Sequence, residues 1–157
     1  VTPTVVIEES FDVMLWALER SDPDGWLAMP EAGYDWIARC DGPFKTALDH
    51  TKYAVRYPDL DPEQERGRAA EFLADLDLQI AGSDWLFGPK CTLADMAIVP
   101  FVRQFANSDR SWFDAQPWPN LQRWLPGFLA SDRFAAIMTK YPKWQAGDAP
   151  VLFPNPA

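Results

Sequence analysis

The stretch TLADMAIVPFVRQFA, residues 92–106, decides the fold. Its apolar side chains surround a helix on nearly every side, and this pattern predicts a helix buried at the centre of the molecule. Thr92 and Asp95 have the spacing of an N-terminal capping box, with Asp in place of the usual Glu, which satisfies backbone donors that a buried helix end would leave unpaired. Pro100 lies well inside the pattern and predicts a kink.

Helical periodicity continues on both sides of this stretch. Apolar residues recur at i, i+3, i+4 and i+7, and prolines separate the segments. The pattern predicts helices over residues 8–20, 31–40, 44–57 and 62–80, another through 121–129 and a short one after Ser131. The sequence therefore predicts an all-α bundle of about six or seven helices, with a strand-like run only in its first seven residues.

Three connecting segments carry further expectations. Asp41-Gly42-Pro43 should break or bend the chain between the second and third helices. The loop 83–91 is unusually apolar and should pack inward. The Pro-rich tail 142–157 should dock on the surface through Val151, Leu152 and Phe153.

Composition narrows the class of protein. The 157 residues are enough for one domain with a real core, and 48% hydrophobic and 24% charged residues are typical of a soluble globular chain. With 14 Lys and Arg against 23 Asp and Glu, the net charge is −9 without a basic run, so we expect neither nucleic acid nor an anionic membrane as partner. No apolar stretch approaches the length of a membrane span.

The few metal-binding and nucleophilic side chains point away from familiar catalytic sites. His50 is the only histidine, which excludes a multi-His metal site, and we expect no metal. A catalytic triad would have to use His50, which is expected on the solvated face of its helix, as are Asp75 and Asp77. Cys40 and Cys91 are predicted to be free, reduced and packed as small apolar residues, which fits the cytoplasm.

One short segment has the character of a binding site. Ile7-Glu8-Glu9-Ser10 leads from the strand-like run into a helix, whose free N–H groups together with Ser10 would bind a carboxylate. The acidic side chain before Ser10 would accept an ammonium group, so the segment can cradle an amino-acid zwitterion. From the residues alone, the alternative is an ordinary N-terminal cap formed by Glu9 and Ser10, and the residues favour that alternative.

At these features the sequence resembles the glutathione S-transferase family over nearly its whole length. Residues 88–98, from Gly88-Pro89 through the capping box, resemble the family's N-capping box and central core helix. Residues 6–14 resemble its Glu-Ser step between the last strand and third helix of the thioredoxin-like domain. Residues 41–45 and 100–105 are similar to a bacterial branch of the family.

The resemblance implies a division of the chain and a set of binding residues. Residues 1–22 would be the remnant strand and helix of a thioredoxin-like domain, and residues 23–157 the all-helical C-terminal domain. Glu9 and Ser10 would contact the γ-glutamyl end of glutathione, the implied cosubstrate. The segment 31–57 would form one wall of the acceptor pocket. Its candidate residues, each equally explained by ordinary helix packing, are Phe44, Tyr53, Tyr57 and, beyond the core helix, Trp112.

The activity that the resemblance implies is transfer or exchange of the glutathione thiol with a small apolar electrophile or a disulfide, in a homodimer. The family's catalytic Cys, Ser or Tyr and its cis-proline loop have no match here and are expected upstream of Val1, so this chain alone is expected to be inactive. The alternative is a non-catalytic binding or regulatory module, since Trp residues are abundant and aromatic residues favour interfaces.

Overall fold

A computed structural model of the protein describes residues 6–151 and is all-α. The helices are α1 (Ser10–Leu18), α2 (Ala32–Arg39), α3 (Lys45–Lys52), α4 (Pro62–Gln79), α5 (Leu93–Ala106), α6 (Arg110–Asp114), α7 (Pro119–Leu129) and α8 (Asp132–Ile137). Within residues 6–151 no strand is formed beyond an isolated bridge in the loop before α5, between Trp85 and Gly88. Most of the strand-like run lies in residues 1–5, outside the described residues.

Helix α5 lies at the centre, as its composition predicted. It packs against α2, α3 and α7, and eight of its side chains are buried. Pro100 is exposed within a helix that continues to Ala106, so its missing N–H lies on the side that faces water. The kink at Pro100 stays a prediction.

At Asp41-Gly42-Pro43 the chain does not break, and the bend given as the alternative stays a prediction. A π-helical turn, Cys40–Phe44, joins α2 directly to α3, and its wider backbone accommodates the proline. The hydroxyl of Thr46 donates to the Gly42 carbonyl at 2.9 Å, four residues earlier. The helical segment then ends at Lys52, earlier than predicted, and a 3₁₀ turn follows at Ala54–Arg56.

Two polar side chains expected in solvent instead join helices. Asp77 is 5% exposed and accepts hydrogen bonds from the backbone N–H groups of Asn120 and Leu121, each at 2.8 Å, so it caps α7 from α4. His50 Nδ1 lies 2.8 Å from Oε2 of the buried Glu65, which links α3 to α4. The expectation of a solvated position was wrong for Asp77, which is buried against α7. It holds in part for His50, whose side chain is 22% exposed although one ring nitrogen contacts α4.

The predictions for the two cysteines, the loop before α5 and the C-terminal tail hold only in part. Cys40 is buried as predicted, whereas Cys91 is half-buried, and both are free thiols. The loop before α5 packs inward as expected, with Leu86 only 2% exposed. Docking of the tail was wrong for Val151, which is exposed; Leu152 and Phe153 lie outside the described residues. Among residues 6–151, none of the helices has the length and apolarity needed to cross a membrane.

Candidate functional site at the start of α1

The N-terminus of α1 has backbone donors and no capping side chain within residues 6–151. Glu9 occupies the N-cap position with an extended backbone (φ −85°, ψ 140°), and no side chain of residues 6–151 accepts a hydrogen bond from the first turn. Glu9 and Ser10 are exposed. Among the described residues, the first N–H groups at the positive end of the helix thus have no side-chain acceptor, and such groups can receive an anionic group.

Packing of α1 fixes where this end lies. The inward side of α1 rests on the core through Phe11, Met14, Leu15 and Leu18, although none of its residues is fully buried. The ring of Phe11 meets the edge of Tyr34 in α2, with centroids 6.5 Å apart. Ser10 consequently lies at a narrow crevice between α1, the π-helical turn and α5, where its neighbours include Cys40, Asp41, Ala97 and Phe101.

This crevice brings together segments that are far apart in the sequence. Ser10 comes from the Glu-Ser step, Asp41 from the π-helical turn, and Phe101 from the exposed side of α5. The crevice has one hydroxyl and the Asp41 carboxylate beside an apolar wall, but it measures only about 20 Å³, so a ligand the size of an amino acid would lie at its mouth rather than inside it. Glu9 lines a separate groove on the outer side of α1, together with Glu8 and Asp12. The structure thus does not place Glu9 and Ser10 in one cavity.

The four aromatic residues suggested for an acceptor pocket lie elsewhere, and none lines the crevice at Ser10. Phe44 is 1% exposed and stacks on Phe72 with centroids 4.6 Å apart, so it forms part of the core. Tyr53 and Tyr57 follow the end of α3, and the Tyr57 ring lies 4.4 Å from that of His50.

Trp112 belongs to a separate cavity. The cavity measures about 430 Å³ and lies where α3, α4 and α6 meet, with Lys52 and Arg66 also in its wall. Trp112 packs edge-on against Phe105 at 5.9 Å and carries the Arg66 guanidinium 4.8 Å above its ring. Trp112 is therefore held by its neighbours at the far end of α5 from Ser10.

Thr92 and Asp95 form the capping box at the start of α5. The carboxylate of Asp95 accepts the backbone N–H and the hydroxyl of Thr92 at 2.9 and 2.8 Å, and the Leu86 N–H at 2.9 Å. Burial raises the pKa of Asp95, and these hydrogen bonds partly oppose that rise. The group has no exposed surface, so it supports the core helix and the preceding loop.

The crevice residues Asp41, Ala97 and Phe101 were missed as site residues. Ala97 and Phe101 are four positions apart, which is the spacing of one helix face. The uniform apolarity of α5 concealed this face in the sequence. Asp41 was not considered as a site residue because it belongs to the tripeptide that was expected to break or bend the chain.

Comparison with known proteins agrees with this architecture. The family model described as "Glutathione S-transferase, C-terminal domain" matches residues 34–125. The glutathione S-transferase GstB of Escherichia coli K12 is 35% identical over 72 residues, which cover 40% of this chain and 33% of GstB. The family match covers more than half of the sequence, and the chain belongs to the glutathione S-transferase family.

Solved structures show the same fold. A glutathione S-transferase from Actinobacillus pleuropneumoniae superposes with a TM-score of 0.69 at 16% identity, covering 86% of this chain and 64% of that one. A family member from Pseudomonas fluorescens Pf-5 with two glutathione bound gives 0.67 at 20% identity, with coverages of 82% and 61%. One from Methylobacterium radiotolerans in complex with glutathione sulfonate gives 0.62 at 23%, with coverages of 96% and 74%. The chain thus spans about a third of its curated relative and less than two thirds of the first two structures.

Proposed function

We propose that the protein is a glutathione S-transferase that binds glutathione at the start of α1, through Glu9 and Ser10. The observation that carries the proposal is the first turn of α1, which no side chain of residues 6–151 caps and which begins at Ser10, in the segment that resembles the family's Glu-Ser step. Relatives of the same fold contain glutathione or glutathione sulfonate, which supports glutathione as the cosubstrate; no metal is part of the proposal.

Each group has a distinct role in this site. The Ser10 hydroxyl and the first-turn N–H groups bind the γ-glutamyl carboxylate, and Glu9 accepts the ammonium group. In this proposal, residues 1–22 are the C-terminal end of a thioredoxin-like domain. Residues 23–157 are the helical domain, which forms the wall of the crevice opposite α1.

The reaction proposed is attack by the glutathione thiolate on a small apolar electrophile or on a disulfide. The Cys40 and Cys91 thiols are poorly suited to such chemistry, because burial raises the pKa of Cys40 well above its usual range and that of Cys91 to about 12. Neither is therefore the residue that activates the substrate. Tyr53, Tyr57 and Trp112 are proposed to border the acceptor along α3 and α6, with Phe44 supporting them from the core.

A homodimer in the cytoplasm is the proposed working form. The outward side of α1 includes Val13, which is 44% exposed, and such apolar surface favours association. Sedimentation should therefore give a mass above 17.8 kDa, and a clean monomer would count against a dimer.

The test is calorimetric titration of glutathione into the chain and into Ser10→Ala. Loss of a hydrogen bond to a charged group should weaken binding about tenfold. Ser111→Ala is the matched control, because it makes the same exchange at an exposed serine in the first turn of α6 and should leave the affinity unchanged.

A second ligand sharpens the assignment. Cysteinylglycine lacks the γ-glutamyl group, so it should bind weakly and equally to the wild-type chain and to Ser10→Ala. Equal glutathione affinity in these two proteins would remove Ser10 from the site. If glutathione binds in the expected way but the full gene product shows no turnover with electrophiles or disulfides, the protein is a binding module instead.

A further inference from the structure

Another cavity lies beside the C-terminal half of α5, and the ionisable side chains that line it are positively charged. It measures about 440 Å³ and is lined by Lys52, Pro100, Arg103, Gln104, Asn107 and Ser108. Its two ionisable groups, Lys52 and Arg103, are both cationic, and neither forms an ion pair within residues 6–151. On a chain with net charge −9, two cations without carboxylate partners facing one cavity form a local positive site.

Both cations, Lys52 and Arg103, make a cation–π contact with an aromatic ring. The guanidinium carbon of Arg103 lies 5.3 Å from the Phe134 ring centroid, and Lys52 Nζ lies 4.9 Å from that of Tyr53. Such contacts restrain the long side chains while leaving their N–H groups available. The side-chain amides of Gln104 and Asn107 add neutral donors at the same place.

Helix α5 connects this cavity to the crevice at Ser10. Ala97 and Phe101 line the crevice, whereas Gln104 and Ser108 line the basic cavity. Phe101 of the crevice is one position from Pro100 and three positions from Gln104, and both of these line the basic cavity. The crevice and the cavity therefore meet on adjacent faces of α5 within about one helical turn.

We propose that the second substrate has an apolar body and an anionic group, such as a carboxylate, sulfonate or phosphate, which Lys52 and Arg103 bind. This inference rests on the proposed function and names the substrate class of the same site. The apolar body lies along the α5 face at Phe101, and the anion accepts charge-assisted hydrogen bonds from the two cations. Because both side chains are partly exposed, added salt weakens the contact.

The test compares two fluorescent probes of similar shape. One is 8-anilinonaphthalene-1-sulfonate, which is anionic, and the other is the neutral N-phenyl-1-naphthylamine. The wild-type chain should bind the sulfonate about tenfold more tightly, and Lys52→Gln with Arg103→Gln should abolish this preference while binding the neutral probe as before. Raising the salt concentration should reduce the wild-type preference.

Two matched variants control for general charge effects. Lys140→Gln with Lys143→Gln removes two cations from the exposed tail and should keep the preference. Lys52→Arg with Arg103→Lys keeps the charges and should also retain it. Equal affinity of the wild-type chain for both probes, or an unchanged preference in the Lys52→Gln, Arg103→Gln variant, would overturn the inference. Glutathione titrations with Ser10→Ala test the proposed function separately, since neither probe contains a γ-glutamyl group.

Discussion

Replacement of Asp95 by Ala tests whether the capping box stabilises the central helix. The change leaves two buried backbone donors unpaired, the N–H groups of Thr92 and Leu86, and each costs about 1–3 kcal/mol. The Thr92 hydroxyl can rotate to another acceptor, and removal of a carboxylate whose pKa is raised by burial returns part of the cost. We expect the free energy of unfolding to fall by about 3 kcal/mol.

Urea unfolding measures this loss, with Asp61→Ala as the matched control. Asp61 also caps a helix, but it is exposed and accepts one hydrogen bond, from Glu63 N–H at 2.9 Å, so its removal should cost about 1 kcal/mol. At a slope of about 2 kcal/mol per molar urea, the midpoint should fall by about 1.5 M for Asp95→Ala and about 0.5 M for Asp61→Ala. A fall for Asp95→Ala no larger than that for Asp61→Ala would refute the reasoning.

Two further predictions concern groups that sequence patterns described incompletely. Asp77→Ala should lower the free energy of unfolding, measured in urea, by about 2 kcal/mol, because it removes the cap of α7. The control Asp75→Ala breaks only an exposed ion pair and should lower it by less than about 1 kcal/mol. Equal losses in the two variants would contradict the capping role of Asp77. Cys40 and Cys91 should react with a thiol reagent far more slowly in the native chain at about pH 8 than in urea. The reason is that burial raises the pKa of both thiols, that of Cys91 to about 12, so little thiolate is present. Rapid labelling of the native chain would contradict this prediction.

The central helix was predictable because its information is local. Residues 92–106 contain the cap, the apolar body and the helix end, and no other element is needed to interpret them. The same holds for α4, where Asp61 and Pro62 mark the start. Local signals of this kind predict the all-α class and most of the helices in order, but they missed the five-residue α6. Residues 6–151 consequently form eight α-helices rather than the predicted six or seven.

Side chains that join one helix to another were not predictable in this way. Asp77 and the α7 backbone that it caps are 43 positions apart in the sequence, and His50 meets Glu65 only because α3 packs on α4. A polar residue on a helix is usually solvated, so only the fold distinguishes these two from their neighbours. The π-helical turn at Pro43, which joins α2 to α3 without a loop, likewise has no local signal in the sequence.

The residues of the candidate site also fall into those with a local sequence signal and those whose position depends on helix packing. Ser10 was predicted as a site residue because a helix start and a family motif coincide in five residues, and its role stays a proposal. Phe101, Lys52 and Arg103 were missed because their role depends on which face of α5 meets α1 and α3. The resemblance suggested Phe44 as a pocket residue, whereas the fold buries it in the core.

The two halves of the site depend on different supports. Helix α1, which carries Ser10, has no fully buried residue, whereas α5, which carries Arg103, has eight. Local opening is easiest where few apolar contacts hold an element, so α1 should loosen well before α5. A variant that only loosens α1 would therefore weaken glutathione binding and leave the preference for the anionic probe intact. Loss of both together would instead indicate damage to the core shared by α3 and α5, and this difference makes the two binding experiments independent measures of the site.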